Sequence, residues 1–142
     1  MSTPKKVFIL GLDGGTFDMI LPLVEKGELP HMSQLLQKGA WGRLESTIHP
    51  STPIAWTSFM TGLNPGKHGI YDFIIAKDND YGFKLSTAAD RFESTMWDYM
   101  SGFDKKTVVV NVPYTYPPDK INGIMISGLD APMSRRDIAT PP

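Results

Sequence analysis

The sequence has 142 residues, of which 41% are hydrophobic and 20% are charged, a composition expected of one globular α/β unit with a buried core. Lys and Arg number 14 against 15 Asp and Glu, which gives a net charge of -1. This balance provides no general attraction to nucleic-acid polymers or to an anionic membrane surface. The chain has no cysteine, which excludes disulfides, thiolate metal sites and a cysteine nucleophile.

The apolar stretches are short. Val7–Leu12 is shorter than the h-region of a secretory signal, which has about 7 to 15 residues. No stretch of the sequence reaches the roughly 20 apolar residues that span a bilayer. These observations predict a cytoplasmic protein that is not associated with a membrane.

The first third of the chain predicts a strand followed by a helix. Val7–Leu12 has the pattern of a central parallel strand buried on both faces, and Asp13, Gly14 and Gly15 form a tight turn after it. Apolar residues at helical spacing follow over 17–24, and Gly27 can end that helix. Pro22 is expected to kink or divide it.

The next segment predicts a helix, a strand and a second helix. A short apolar stripe indicates a helix over 31–38, and Trp41, Leu44 and Ile48 indicate a strand over 40–49. Ser51 or Thr52 before Pro53 is typical of a helix start, because a hydroxyl can cap the first amides. We expect this helix over 53–61.

The remaining elements alternate in the same way. They are a hairpin with strands at 71–76 and 83–85 around a turn at 78–82, a helix at 95–100, a buried strand at 106–112 and a strand at 121–127. Alternating strands and helices predict an α/β fold with a mainly parallel sheet covered by helices. Residues 129–142 are rich in polar residues and proline, which is typical of a linker and predicts no final packed element.

Asp13 is the first candidate for chemistry. It follows the first predicted strand, and ligands of open α/β sheets bind at the carboxyl ends of strands. A carboxylate there could hold a cation. The alternative is that Asp13 caps the following helix.

Thr52 is the second candidate. A hydroxyl at a helix start lies beside free amides and the positive end of the helix dipole, both of which favour a phosphate. Thr52 could then attack phosphorus if a metal lowered the pKa of its hydroxyl. From local sequence alone, an ordinary helix cap is the competing interpretation.

The sequence resembles the opening of the type I phosphodiesterase and nucleotide pyrophosphatase family of the alkaline phosphatase superfamily. The resemblance runs from about Val7 to Ser127. Its motifs are Gly11-Leu12-Asp13-Gly14, Leu29-Pro30-His31-Met32, Pro50-Ser51-Thr52-Pro53, Met60-Thr61-Gly62-Leu63 with Asn64-Pro65-Gly66-Lys67-His68-Gly69-Ile70, Trp97-Asp98, and Val110-Asn111-Val112-Pro113-Tyr114-Thr115-Tyr116-Pro117.

The resemblance implies a three-layer α/β/α fold, alkaline phosphatase-like but incomplete in this chain. It implies that Thr52 is the catalytic nucleophile and that Asp13 and Thr52 are ligands of two divalent metal ions, usually Zn²⁺. It also implies small phosphate-ester or nucleotide substrates. Residues 1–128 are then expected to be the amino-terminal part of the catalytic domain, and 129–142 a linker or truncated tail. The oligomeric state is not predicted.

The sequence departs from the family in two respects. Animal-type members have asparagine three residues after the nucleophile, where this chain has Ala55. The later metal ligands of the family have no counterpart in these residues, so the 142-residue chain by itself is expected to be inactive. A sulfatase is disfavoured because Thr52, Ile54 and Trp56 replace the residues of the sulfatase Cys-x-Pro-x-Arg motif.

Two alternatives to hydrolysis stay open. One is a phosphotransferase or phosphomutase of the same superfamily, and the other is a non-catalytic binding module if the natural chain ends at residue 142. Among the histidines, His31 and His49 show no metal-ligand pairing. His68 is expected to pack or hydrogen-bond the loop after the Thr52 helix, with a substrate role as the alternative.

Overall fold

The computed structural model describes residues 6–77 and 81–141 of the chain. Its helices are α1 (Phe17–Glu25), α2 (Pro30–Lys38), α3 (Thr52–Thr61), α4 (Pro65–His68) and α5 (Met96–Gly102), with a 3₁₀ turn at Ala88–Asp90. Its strands are β1 (Ile74–Ala76), β2 (Phe83–Leu85), β3 (Thr107–Val112), β4 (Gly123–Ser127) and β5 (Ala139–Thr140). The chain divides into two compact units, one ending at Glu45 and the other beginning at Ser46.

The first unit contains α1 and α2, close to where they were predicted. α1 runs through Pro22 without interruption, so the expected division at this proline is wrong. α2 ends at Lys38, and Gly39 donates its amide to the Leu35 carbonyl over 2.9 Å. The predicted helix boundaries are otherwise confirmed because glycine follows each helix closely.

The predicted strand at Val7–Leu12 is wrong. These residues form no regular secondary structure, and their large apolar side chains are 52 to 88% exposed. They belong to neither sheet formed by the described residues. A strand is defined by hydrogen bonds to a neighbouring strand, which an apolar run in the sequence does not supply.

The predicted strand at 40–49 is also wrong. The structure assigns no strand there. Trp41 packs against Phe17 instead, with ring centroids 5.0 Å apart, while Leu44 and Ile48 are 95% and 98% exposed. The alternation of apolar and polar residues in this segment therefore does not correspond to a strand with one buried face.

The second unit contains two small sheets. β1 and β2 form an antiparallel hairpin, as predicted, although its turn at 78–80 lies outside the described residues. β3 pairs with β4 in parallel, and β4 pairs with β5 antiparallel. The described chain is thus a mixed α/β structure with small sheets.

Only one face of the β3–β4 pair is buried. Val109 and Met125, 5% and 0% exposed, join a core with Met60, Ile70 and Trp97. The neighbouring residues of β3 point the other way, so Val108 and Val110 are 68% and 57% exposed. The predicted buried strand at 106–112 is therefore present, but only one of its faces is buried.

The segment from 129 onward is partly ordered into the second unit. Ala139 pairs with Ile126, and Thr140 pairs with Met125. Asp130 accepts hydrogen bonds from the amides of Tyr114, Thr115 and Tyr116 over 2.9, 3.3 and 3.0 Å. The prediction that this segment has no packed element is therefore wrong.

Candidate functional site

Asp13 lies in a tight turn before α1. The Gly15 amide donates to the Leu12 carbonyl over 3.1 Å, and Gly14 has φ of 67°, a conformation that glycine adopts at little cost. A Cβ on Gly15 would lie 3.0 Å from the Leu12 Cβ. The two glycines therefore allow the turn that carries the exposed Asp13 carboxylate.

Asp13 is not the cap of α1. Thr16 is the N-cap residue, and its Oγ1 accepts a hydrogen bond from the Asp18 amide over 3.3 Å. The alternative interpretation of Asp13 as the helix cap is therefore wrong.

Thr52 is the first residue of α3, and Ser51 is the N-cap with φ of -131° and ψ of 151°. The Ala55 amide donates to the Ser51 carbonyl over 2.9 Å. The Ser51 side chain makes no capping hydrogen bond. Thr52 thus lies inside the first helical turn, and its interpretation as the cap residue is wrong.

α3 is held in place along its whole length. Pro53, Ile54, Thr57 and Met60 are buried. Gly62 ends the helix with φ of 71°, and its amide donates to the Ser58 carbonyl over 2.8 Å. The helix therefore keeps the half-buried Thr52 at the positive end of its dipole.

Two hydroxyl oxygens of this region have no hydrogen-bond partner within the described structure. They are the buried Ser51 Oγ and Thr57 Oγ1. Leaving a buried polar group unpaired costs about 1 to 3 kcal/mol. Ser51 is the immediate neighbour of Thr52, so an unpaired hydroxyl lies at the start of α3.

His68 is completely buried at the end of α4. Its Nδ1 accepts from the Ile70 amide over 3.2 Å, and its Nε2 lies 3.0 Å from Ser58 Oγ. Burial lowers the pKa of His68 below its usual value of 6.5. These contacts favour the structural role over a substrate role, and His31 and His49 are exposed.

The sequence did not predict Ser58 as the partner of His68. The two residues are ten positions apart and belong to different helices. No local spacing connects them. Only the turn between α3 and α4 brings their side chains together.

Thr52 lines neither of two cavities found among the described residues of the second unit. The larger, an open cavity of about 530 Å³ at the end of α3, is lined by Thr47, Ile48, Ser58, Gly62, Leu63, Asn64 and Pro65. The smaller, of about 260 Å³, is lined by Phe73, Leu85, Ser86, Thr87, Tyr114, Tyr116, Leu129, Asp130 and Pro132. Neither of these cavities therefore marks the position of Thr52, the predicted nucleophile.

The donor chemistry of Asp13 and Thr52 suits a divalent cation, because carboxylate and alkoxide oxygens are ligands for such ions. Two residues do not complete the four-coordinate site that zinc prefers. Within residues 6–77 and 81–141, no group of three or more His, Asp or Glu side chains is arranged to hold a metal ion.

None of the helices in the described part of the chain is long and apolar enough to cross a membrane.

The family model of type I phosphodiesterase / nucleotide pyrophosphatase matches residues 7–139. This span contains both Asp13 and Thr52. No curated protein and no solved structure matches the chain.

Proposed function

This chain belongs to the type I phosphodiesterase / nucleotide pyrophosphatase family, and on that premise we propose that the complete enzyme uses Thr52 as the nucleophile of a metal-dependent hydrolysis. The bonds cleaved are phosphodiester or pyrophosphate bonds of small phosphate esters or nucleotides. One observation carries the proposal. Thr52 begins α3, nine residues before the Thr61-Gly62 pair of the family motif.

The start of α3 suits a phosphate. The amide of Ile54 belongs to the first turn, where amides have no acceptor within the helix, and the helix dipole favours negative charge there. Ser51 Oγ, buried and unpaired in the described structure, can donate to a phosphate oxygen. These donors would offset the missing asparagine at the position of Ala55.

The reaction proceeds in two displacements. Thr52 Oγ loses its proton and forms a bond to phosphorus, while the bond from phosphorus to the leaving oxygen breaks and that oxygen takes up a proton. Water then cleaves the resulting phosphothreonine ester, which releases phosphate or phosphomonoester and restores the hydroxyl. The positive end of α3 stabilises the charge on the phosphoryl oxygens in both steps.

Asp13 and Thr52 would hold two divalent ions, proposed to be Zn²⁺, together with ligands from beyond this chain. When bound, such ions lower the pKa of the attacking hydroxyl and offset charge on the attacking and leaving oxygens. The carboxylate of Asp13 contributes the negative charge that retains a cation. The 142-residue chain by itself is then expected to lack useful activity.

The proposed fold of the complete enzyme is the three-layer α/β/α arrangement with a mainly parallel sheet. The exposed face of β3 and β4, which carries Val108, Val110, Ile124 and Ile126, supports it. Parallel sheets are normally covered by helices on both faces. The division into 1–128 and 129–142 and the cytoplasmic location also stay predictions.

Three variants of the complete enzyme test the proposal. Thr52→Ala should abolish turnover of an aryl phosphodiester and leave bound zinc near normal, since other ligands hold the ions. Thr52→Ser should retain part of the activity because its hydroxyl survives. Asp13→Asn should lose both zinc and activity, because a neutral amide is a poorer ligand for a divalent cation.

Matched controls separate chemistry from folding. Asp18→Asn alters an exposed carboxylate that pairs with Arg43 over 2.8 Å, and Thr61→Ala changes the threonine at the other end of α3. Both controls should keep zinc and turnover. An active, zinc-loaded Thr52→Ala enzyme would end the assignment of the nucleophile.

A further inference from the structure

His68 ties the end of α3 to the segment that follows it. The Ile70 amide donates to Nδ1, so Nδ1 carries no proton, and the proton of the neutral ring is on Nε2. Nε2 then donates to Ser58 Oγ over 3.0 Å. His68 is 0% exposed, so water does not compete for either bond. The two contacts define one tautomer and one ring orientation.

We propose that His68 is a positioning residue for Thr52, acting through Ser58 and the rigid body of α3. This inference rests on the proposed function. It gives the buried histidine a role in the reaction without contact between its ring and the substrate.

α3 can transmit the restraint because Ser58 and Thr52 are on the same ten-residue helix. The two residues are six apart in sequence, which corresponds to about 9 Å along the helix axis. A helix moves as a unit over that distance, so a shift at Ser58 displaces Thr52. Misplacing a reacting group by about 1 Å can reduce a rate by about 100-fold.

The start of α3 is held by burial of Pro53 and Ile54 and has no side-chain cap from Ser51. Ser51 makes no side-chain capping bond, and Pro53 has no amide to offer one. The orientation of the first turn is therefore set by packing together with the contacts made further along α3. Burial of Ile54 and Met60 sets its depth, and the bond from Ser58 to His68 restrains its rotation and sliding.

His68 is itself held in place by contacts outside α3. The His68 carbonyl accepts from the Phe92 amide over 3.1 Å. Gly69 has φ of 82°, and its position lies against the Phe92 ring. Ile70, whose amide holds the His68 ring, is 1% exposed and belongs to the core. His68 therefore links α3 to the core of the second unit.

The test uses the complete enzyme and measures kcat, KM, bound zinc and thermal stability. Ser58→Ala removes the acceptor on α3 and should lower kcat of the folded enzyme about 10- to 100-fold with KM nearly unchanged. His68→Gln can keep a donor towards Ser58, whereas His68→Asn keeps only the acceptor for Ile70. His68→Gln should therefore retain more of kcat than His68→Asn.

Ser101→Ala is the matched control. Ser101 is a half-buried serine of α5 whose hydroxyl donates to the Trp97 carbonyl over 2.7 Å. Loss of this hydrogen bond should lower the thermal stability and leave kcat of the folded enzyme unchanged. If Ser58→Ala behaves in the same way, the bond is only structural and the inference is overturned. A raised KM with normal kcat also overturns it, because Ser58 would then bind substrate from the adjoining cavity.

Two further measurements separate this inference from the proposed function. Turnover by Thr52→Ala refutes the proposed function, whereas an inactive Thr52→Ala with full kcat in Ser58→Ala refutes the positioning role alone. Independently of activity, Ser58→Ala should shift the amide NMR signals of Thr52 and Ile54. Unchanged signals there would overturn the positioning role.

Discussion

The carboxylate of Asp130 should be a main determinant of stability in the second unit. Its Oδ1 accepts from the amides of Tyr114 and Thr115, and its Oδ2 accepts from Tyr116. Tyr114 and Thr115 are 4% and 0% exposed. These amides lie in the loop that follows β3 and are not paired with a neighbouring strand. The carboxylate accepts the hydrogen bonds that water would otherwise accept.

Asp130→Asn should destabilise the protein by about 2 kcal/mol. The amide side chain keeps one oxygen for two of the amides, but its NH₂ group then faces the third amide as a second donor. One hydrogen bond to a charged acceptor is lost, which is worth about 1.5 to 3 kcal/mol. Asp130→Ala should cost more, about 3 to 5 kcal/mol, because it also leaves buried amides unpaired.

Urea denaturation and a thermal scan measure the effect, and about 2 kcal/mol corresponds to a Tm lowered by about 4 to 8 °C. Hydrogen exchange should accelerate at the amides of 114–116. Asp137→Asn is the matched control, because Asp137 pairs with Arg135 at the exposed surface of the same segment and should change stability little. Equal stability of Asp130→Asn and Asp137→Asn would refute the reasoning.

Two further predictions concern His68 and the glycine after it. Burial lowers the pKa of His68 in the folded protein, so the unfolded chain binds a proton at this histidine more readily. The contribution of neutral His68 to the free energy of unfolding is therefore complete above a pH of about 6.5. It is lost as the pH falls through the lowered pKa of the folded state. Urea titrations at stepped pH should show this loss, His68→Gln should weaken it, and exposed His31→Gln should not. Gly69→Ala should cost at least 1 to 2 kcal/mol, about the penalty for a left-handed non-glycine residue, because φ is 82° and the new Cβ would lie 2.6 Å from the Phe92 ring. Gly102→Ala, where nothing lies within 4 Å of the new Cβ, should not destabilise, and equal thermal shifts in the two variants would contradict the argument.

Elements defined by local chemistry were predictable. α3 begins and ends as expected because Pro53 fits the first helical turn and Gly62 adopts the left-handed conformation that ends the helix. α5 lies close to the predicted range, and Thr95 and Asp98 form a capping box at its start. Each of these signals operates within a few residues, so one sequence contains all the information required.

Elements that depend on distant partners were less predictable. Val7–Leu12 has the composition of a buried strand but joins no sheet in the described structure. β5 escaped prediction because two residues show no periodicity, and its existence depends on pairing with Met125 and Ile126. Asp130 escaped for the same reason, since the amides that it binds lie 14 to 16 residues away in the chain.

The two proposed site residues differ in the same way. Thr52 depends on a helix start that local signals define and the structure confirms. Asp13 was inferred from the end of a strand, and the structure keeps its turn but not the strand. The two variants therefore test separate steps. Loss of activity with retained zinc in Thr52→Ala would support a nucleophile at the start of α3. Loss of zinc in Asp13→Asn would support a metal site at the Asp13 turn, although no strand precedes this turn in the described structure.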